Sequence, residues 1–414
     1  MPDMAGSMRS SGEAGSHAGR TGSVAGLRTA TCPATGLRLS LRPLGEGREM
    51  AAAWSDLAKR SLAANIFYEP QFALPAKLPF GDGVRLLAIH ADQSPAAPLL
   101  GVWPFRLVRL RWGMPLPVLL GWTHPFAASG VPLIDKDRAD EALTALYHLP
   151  SSFSGLPRRA LMPLLPDQGA FADALGKVQT RLGLREARTE GHDRAIFTPR
   201  ANTDTTAHLS SGSRSKLRQE YRRLEKDGPV TLCVVESVRE LGPALETYLE
   251  LEAKGWKGRA GTAIPFRPAE TEFMRGVIRD LGAEGRARID ELRLGDRVIA
   301  SSITYRNGPT AWYAKISFDE DFAKNSPGSQ LVLKVTEAMN ADPSLGFVDS
   351  CAPPLHPLMR RFWPERMNVS NRLLELAGGD RLFPLAAKLE EQRPKARDYF
   401  HAAKRWLKDR RKPA

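Results

Sequence analysis

The sequence predicts a mixed α/β (α+β) protein made of two consecutive halves, each a twisted mixed sheet flanked by helices. Three observations point there. The chain has 414 residues, 42% hydrophobic and 25% charged, enough for two ordinary domains with packed cores. Apolar residues switch repeatedly between strand spacing and helical spacing. Gly, Pro and Asn-Gly steps separate these runs.

Residues 1–35 are rich in Gly, Ser and Ala and lack the apolar stretch of a signal peptide, so they are expected to form a disordered tail. The first folded half is expected over residues 36–205. Leu37–Leu41 alternates like an edge strand, and Glu49–Leu62 has helical apolar spacing. Asn65–Phe72 reads as an aromatic loop. Val84–Ile89 and Leu99–Leu110 read as strands around a Pro-containing turn, and Asp137–His148 as a helix. Ala160–Leu165 is a short apolar strand, Ala170–Leu182 a helix and Arg194–Thr198 a closing strand.

The second half, residues 206–378, is more regular. Ser213–Lys226 is helical, with Leu217, Tyr221 and Leu224 on one face and Arg214, Lys216, Arg218, Arg222 and Arg223 around the rest. Gly228-Pro229 stops it before the β-branched strand Val230–Val235. Helices Glu240–Lys254 and Ala269–Leu281 follow. Ala287–Leu294 and Val298–Tyr305 flank a Gly295-Asp296 turn, and Asn307-Gly308 leads into Thr310–Phe318, completing a meander. A helix opens at Asn325-Ser-Pro-Gly-Ser-Gln, then come the strand Phe347–Cys351, a helical turn at Pro357–Phe362 and the strand Met367–Leu376. Residues 379–414 are expected to be a basic amphipathic helix and tail, with Phe400, Ala403, Trp406 and Leu407 opposite Lys404, Arg405, Lys408, Arg411 and Lys412.

The formal charge of +13 favours anionic partners. Three scattered cysteines, Cys32, Cys233 and Cys351, suit a reducing compartment and exclude a disulfide framework or a Cys-built zinc site. Met114–Trp122 is too short and proline-broken to cross a bilayer. His124 and His356 lack companions at metal-ligand spacing, so no metal is expected. Neither a P-loop nor a dinucleotide glycine fingerprint follows a strand.

The order β-α-α-β-β-β-α-β-α-β of the second half resembles the GNAT acyltransferase fold. Gly255-Trp-Lys-Gly-Arg-Ala-Gly-Thr-Ala263, Val298-Ile-Ala-Ser301, Tyr313-Ala-Lys-Ile-Ser-Phe-Asp-Glu320, Ser326-Pro-Gly328 and Val348-Asp-Ser-Cys-Ala352 are similar to recurring blocks of the acetyltransferase family associated with cellulose biosynthesis (CelD/BcsL-type). The blocks cover roughly residues 208–376. The resemblance implies tandem GNAT-like domains, the first degenerate, as in the peptidoglycan-bridge aminoacyltransferases. It also implies an acetyl-CoA or other acyl-CoA co-substrate and a link to cellulose or exopolysaccharide synthesis.

On that frame Ser326, Gly328, Ser329 and Gln330, at a helix N-terminus, are expected to bind the cofactor pyrophosphate. The family's glycine pattern is reduced there to one glycine. The resemblance places a carbonyl-polarising backbone N–H near Lys315, Ile316 and Ser317, and Lys315 in a central strand calls for an anionic partner, for which Asp319 is at hand. Asp349, Asp319 and Glu320, at strand ends, are candidate bases, Asp349 first; a turn-capping role for Asp349 is the alternative. Trp256, Lys257 and Arg259 are candidates for holding an anionic or saccharide acceptor, or else form a helix-end contact. Cys351 is either an acyl carrier or buried packing; without a recognisable triad, direct transfer is favoured.

The expected activity is N- or O-acyl transfer to an amine or hydroxyl of a small molecule, saccharide or lipid precursor. An aminoacyl-tRNA-dependent transferase and a non-catalytic scaffold are the alternatives. The expected location is cytoplasmic, with peripheral contact at an anionic inner membrane face through the C-terminal helix left open and nucleic acid not expected as a partner.

Overall fold

The computed structural model describes residues 26–94 and 96–409. In the N-terminal half β1 (Arg28–Thr31) and β2 (Arg38–Pro43) precede helix α1 (Ala51–Lys59) and the short turns α2 (Pro70–Ala73) and α3 (Lys77–Phe80). Strands β3 (Val84–His90), β4 (Leu99–Val108), β5 (Val118–Gly121) and β6 (Leu133–Ile134) follow, then α4 (Ala139–Tyr147), α5 (Leu149–Ser152), β7 (Arg159–Pro166), α6 (Ala170–Arg181) and β8 (Glu186–Phe197). The C-terminal half contains α7 (Ser211–Glu225), β9 (Val230–Val235), α8 (Val238–Lys254), α9 (Trp256–Arg259), α10 (Pro268–Gly282), β10 (Ala287–Leu294), β11 (Arg297–Asn307), β12 (Thr310–Phe318), α11 (Pro327–Ala341), β13 (Phe347–Asp349), α12 (Pro357–Phe362), β14 (Glu365–Glu375) and α13 (Phe383–Asp409).

Each half carries one parallel pair, β5 with β7 and β12 with β13, because an intervening helix, α4 or α11, crosses over the sheet. The remaining pairings are antiparallel. The halves do not keep separate sheets. Strand order β1-β2-β3-β4-β5-β7-β14-β8-β13-β12-β11-β10-β9 makes one continuous sheet, with β6 on β4. Each half lends its last strand to the other: β14 pairs with β7, β8 pairs with β13, and β8 and β14 pair with each other in the middle. That exchange covers strand edges that two separate sheets would leave open.

Two large cores pack on the sheet. One joins the N-terminal half to α8, α10 and the Ile289, Ile303, Tyr305 and Trp312 face; the other packs α11 against Leu292, Ala300 and Tyr313. Folding starts earlier than expected, since β1 pairs with β2 from Arg28 and Cys32 is fully buried. The expected aromatic loop is a 3-10 turn, Ile66–Tyr68, followed by α2, with its Ile66, Phe67, Tyr68 and Phe72 side chains inside the core.

The first turns of α13 dock on the N-terminal half, where Glu390, fully buried, accepts from Arg111 and Trp112. The Phe400 to Lys412 amphipathic set lies outside the described side chains. Among the described residues, no helix is long and apolar enough to cross a membrane.

Candidate active site

Strand β12 pairs with β13 only at Thr310↔Phe347, Ala311↔Val348 and Trp312↔Asp349. Beyond Trp312, β12 continues to Phe318 while β13 has ended, so a wedge opens between them. A β-bulge falls at its mouth. Ile303 of β11 faces Lys315 and Thr304 faces Tyr313, leaving Ala314 without a partner across the strand. The extra residue resets the alternation: Trp312 and Lys315, three apart, point to the same face, whereas strict alternation would send Lys315 under α11.

Lys315 therefore emerges on the face covered by α8, α10 and the N-terminal half. Its ammonium stands 4.1 Å from the ring centroid of Phe126, a residue of the other half. Phe126 packs in turn against Phe80 and Phe273. Among the described residues Lys315 forms no ion pair. Burial, with nearby Lys257, pushes its pKa down to about 8. The side chain is nevertheless half-buried rather than sealed. His124, whose Nδ1 accepts from the Phe126 N–H, lies behind this wall, and burial drives its imidazole down to about 3.

The expected partner of Lys315, Asp319, is turned elsewhere: it pairs with Arg297 at 2.5 Å and accepts from the Asp321 N–H. Glu320 accepts from the Trp256 N–H at 2.6 Å and from Arg259 at 2.7 Å, tying α9 to the end of β12. Lys257 pairs with the buried Glu252, whose second oxygen accepts from the Ile264 N–H at 2.8 Å. Lys257 and Arg259 are thus already neutralised, while Trp256 remains exposed beside them. Asp349 is buried with both oxygens engaged: Oδ2 accepts from Arg194 at 3.0 Å and Oδ1 from the Cys351 N–H at 2.8 Å. Cys351 lies past the strand, not in it, with φ 54°. Burial and Asp349 push its thiol well up, which keeps it protonated.

The N-terminus of α11 has the electrostatics of an anion site. Ser326, in a left-handed conformation, supplies no side-chain cap, and the first turn holds no acidic residue. Ser329 and Gln330 donate their N–H groups to Ser326 O, which leaves the Gly328 N–H outside those bonds. Two expected ligands have other duties. Gln330 is buried and donates to Leu217 O at 3.0 Å. A Cβ on Gly328 would lie 3.2 Å from Phe318 Cδ1, so this glycine admits the Phe318 ring. Ile316 and Phe318 face α11, packed against its core, while Ser317 shares the Lys315 face. Ser326 and Ser329, both half-buried, fit a phosphate group at this helix start, whereas Gly328 with its N–H is buried against the Phe318 ring.

The matching place in the N-terminal half is closed. Ahead of α4, Asp135 accepts from the Asp137 and Arg138 N–H groups at 2.8 and 3.3 Å and pairs with Arg60, while Asp140 and Glu141 occupy the first turn. A Cβ on Gly121 would come 2.9 Å from Pro163 Cδ, and one on Gly130 2.2 Å from Pro163 O, so the space beside β5 and β7 is filled. The start of α4 is thus occupied by acidic side chains where that of α11 has none, and Pro163 packs close against Gly121 and Gly130.

Sequence reasoning did not bring in Glu252, Arg194 or Phe126. Glu252 had a signal: it continues the inward stripe Leu241, Leu245, Tyr248 of α8, where a carboxylate is unexpected. Arg194 and Phe126 arrive from the other half and had none. Among the described residues, no cluster of three or more metal-ligating side chains occurs.

Residues 211–351 match the family model described as an acetyltransferase (GNAT) domain. No curated protein matches the chain. Among solved structures, FemX aligns with a TM-score of 0.52 at 12% identity, covering 81% of this chain and 98% of FemX. The C-terminal domain of a putative lysylphosphatidylglycerol synthetase from Agrobacterium fabrum aligns at 0.49 and 14% identity, covering 83% and 96% of the two chains. A tandem GNAT protein from the clavulanic acid biosynthesis pathway aligns at 0.39 and 12% identity, covering 83% and 100%. The β12–β13 wedge and the uncapped start of α11 both fall within residues 211–351, the stretch that matches the acetyltransferase (GNAT) domain model, and the chain shares its fold with FemX.

Proposed function

We propose that this protein transfers an acyl group from a phosphate-bearing activated donor to an amine or hydroxyl that enters between the two halves. The observation that carries the reading is the bulge at Ala314, which turns an unpaired ammonium into the wedge where β12 leaves β13. The donor supplies an acyl group on a good leaving group. The chain's residues supply the rest: Ser326 and Ser329 at the start of α11 for a phosphate, and the unpaired edge of β12 from Ala314 to Ser317 to polarise a carbonyl.

Lys315 is the proton acceptor in this proposal. Its pKa near 8 lies close to ordinary working pH, where a general base is most effective. In its neutral form it takes the proton from the attacking nitrogen or oxygen. Asp349 holds Arg194 and the Cys351 loop in place and acts by positioning. With the Cys351 thiol kept protonated, direct transfer is favoured over a thiol-bound intermediate. The link to cellulose or exopolysaccharide synthesis is supported by the sequence blocks alone.

Acetyl-CoA is the first donor to test. Calorimetric titration of the full chain with acetyl-CoA, followed by mass spectrometry of amine and hydroxyl acceptors, should show binding and acyl transfer, with transfer lost in Lys315→Met. The absence of both binding and transfer would exclude this donor. One observation favours a second reading, an aminoacyl-tRNA donor: Phe318 narrows the notch over Gly328, which suits a donor whose phosphates are held mostly elsewhere.

A further inference from the structure

Helix α7 crosses beside the donor notch. Gln330 of α11 donates to its Leu217 carbonyl, and Lys334 of α11 stands 5.5 Å from the ring centroid of its Tyr221. Leu217, Glu220 and Leu224 face inward. The outward side is strongly cationic. Arg218, Arg222, Arg223 and Lys226 are exposed, and none of them forms an ion pair among the described residues. Arg214 and Lys216 have only long contacts, 3.8 Å to Asp204 and 3.8 Å to Glu220.

Arg214, Arg218 and Arg222 follow one another at i, i+4 spacing. Like charges so placed repel by a few tenths of a kcal/mol per pair, and among the described residues neither Arg218 nor Arg222 is in an ion pair, though Glu225 lies one turn from Arg222. Four residues advance a helix by roughly 6 Å, comparable to the step between phosphates on an extended strand. The exposed side also lacks the apolar stripe that an interfacial membrane helix buries in lipid: its exposed residues are Ser, Gly, Gln, Glu, Lys and Arg. Arginine forks matched to phosphates, with nothing to insert into a bilayer, fit a nucleic acid backbone.

We infer that the outer face of α7 is a docking track for RNA, holding the phosphate backbone of a donor RNA whose acylated end reaches the wedge. From the sequence an aminoacyl-tRNA-dependent transferase stood only among the alternatives, and nucleic acid was not expected as a partner. The inference rests on the second donor reading above, and its binding step is separable from transfer.

The test is fluorescence anisotropy of the full chain with labelled bulk tRNA across a salt series, with phosphatidylglycerol vesicles in parallel. Arg218→Glu with Arg222→Glu should weaken tRNA binding at least tenfold at physiological salt and reduce the slope of log K against log salt by roughly 2. Arg48→Glu with Lys177→Glu makes the same charge change at exposed sites elsewhere, and should leave binding within twofold. Equal weakening by both pairs would reduce the effect to net charge and overturn the inference, as would vesicle binding without tRNA binding. Lys315→Met should abolish transfer yet leave tRNA affinity intact. Acyl transfer from acetyl-CoA with no tRNA binding would sink the RNA track alone.

Discussion

Arg194 of β8 donates to Asp349 at the end of β13, Nη1 to Oδ2 at 3.0 Å, with both side chains almost fully buried. The pair joins the N-terminal half's last strand to the strand that borders the wedge, and Arg194 also donates to Ala128 O at 2.7 Å. Asp349 passes the constraint on to the Cys351 N–H. One ion pair thus links the exchanged strand β8 to the end of β13 and to the Cys351 loop.

Removing one partner leaves a buried charge uncompensated, at a cost of about 3–5 kcal/mol. Arg194→Met or Asp349→Leu should therefore lower the urea midpoint strongly, and the double variant should recover most of the loss. Additive losses in the double variant would show that the pairing is not what matters.

Transfer should depend on the protonation of Lys315. As a base it works unprotonated, so kcat/KM should rise with pH and level off above a midpoint near 8. Lys315→Met should remove that limb along with at least a hundredfold of activity. A rising limb that survives the substitution would assign the base elsewhere.

The same lysine should weaken the fold. Its pKa of about 8 lies below the ordinary 10.5, so the unfolded chain binds more protons between these values, and stability should climb as pH rises through that window. Below pH 8 the lysine is charged in both states and its desolvation cost no longer varies with pH. Lys315→Met should then raise stability at pH 7 by roughly 1–2 kcal/mol while abolishing transfer. A destabilised variant would mean that the ammonium's contact with Phe126 outweighs its desolvation.

The two helix starts should respond differently. Asp135→Ala, which removes the acceptor ahead of α4 and the partner of Arg60, should cost about 1–2 kcal/mol in thermal unfolding without changing transfer. Gly328→Ala should disturb the Phe318 ring and weaken donor binding more than it changes stability. Equal effects of both on donor affinity would contradict the assignment of a single open notch.

Much of the C-terminal half was legible from local chemistry. The Asn307-Gly308 turn, the β-branched Val230–Val235 and the helical stripes of α8 and α10 each specify their element within a few residues, and the order of elements then limits the fold. The start of α11 was equally readable, since Pro327 suits a helix N-terminus. The site was legible only as a set of positions. Asp319, Glu320, Lys257 and Arg259 stood out by type, yet their pairing with Arg297, Trp256, Glu252 and Glu320 depends on which side chains the turns bring together.

What the sequence determined by itself was the two-part α/β architecture and the position of the helix start at Ser326-Pro327, because periodicity, turn residues and capping act over a few neighbouring positions. The tertiary structure decided the single shared sheet, the bulge that turns Lys315 into the wedge and the Phe126 ring that meets it. These rest on strand pairings between residues far apart in the chain, where one extra residue on one strand reverses which face every later side chain takes.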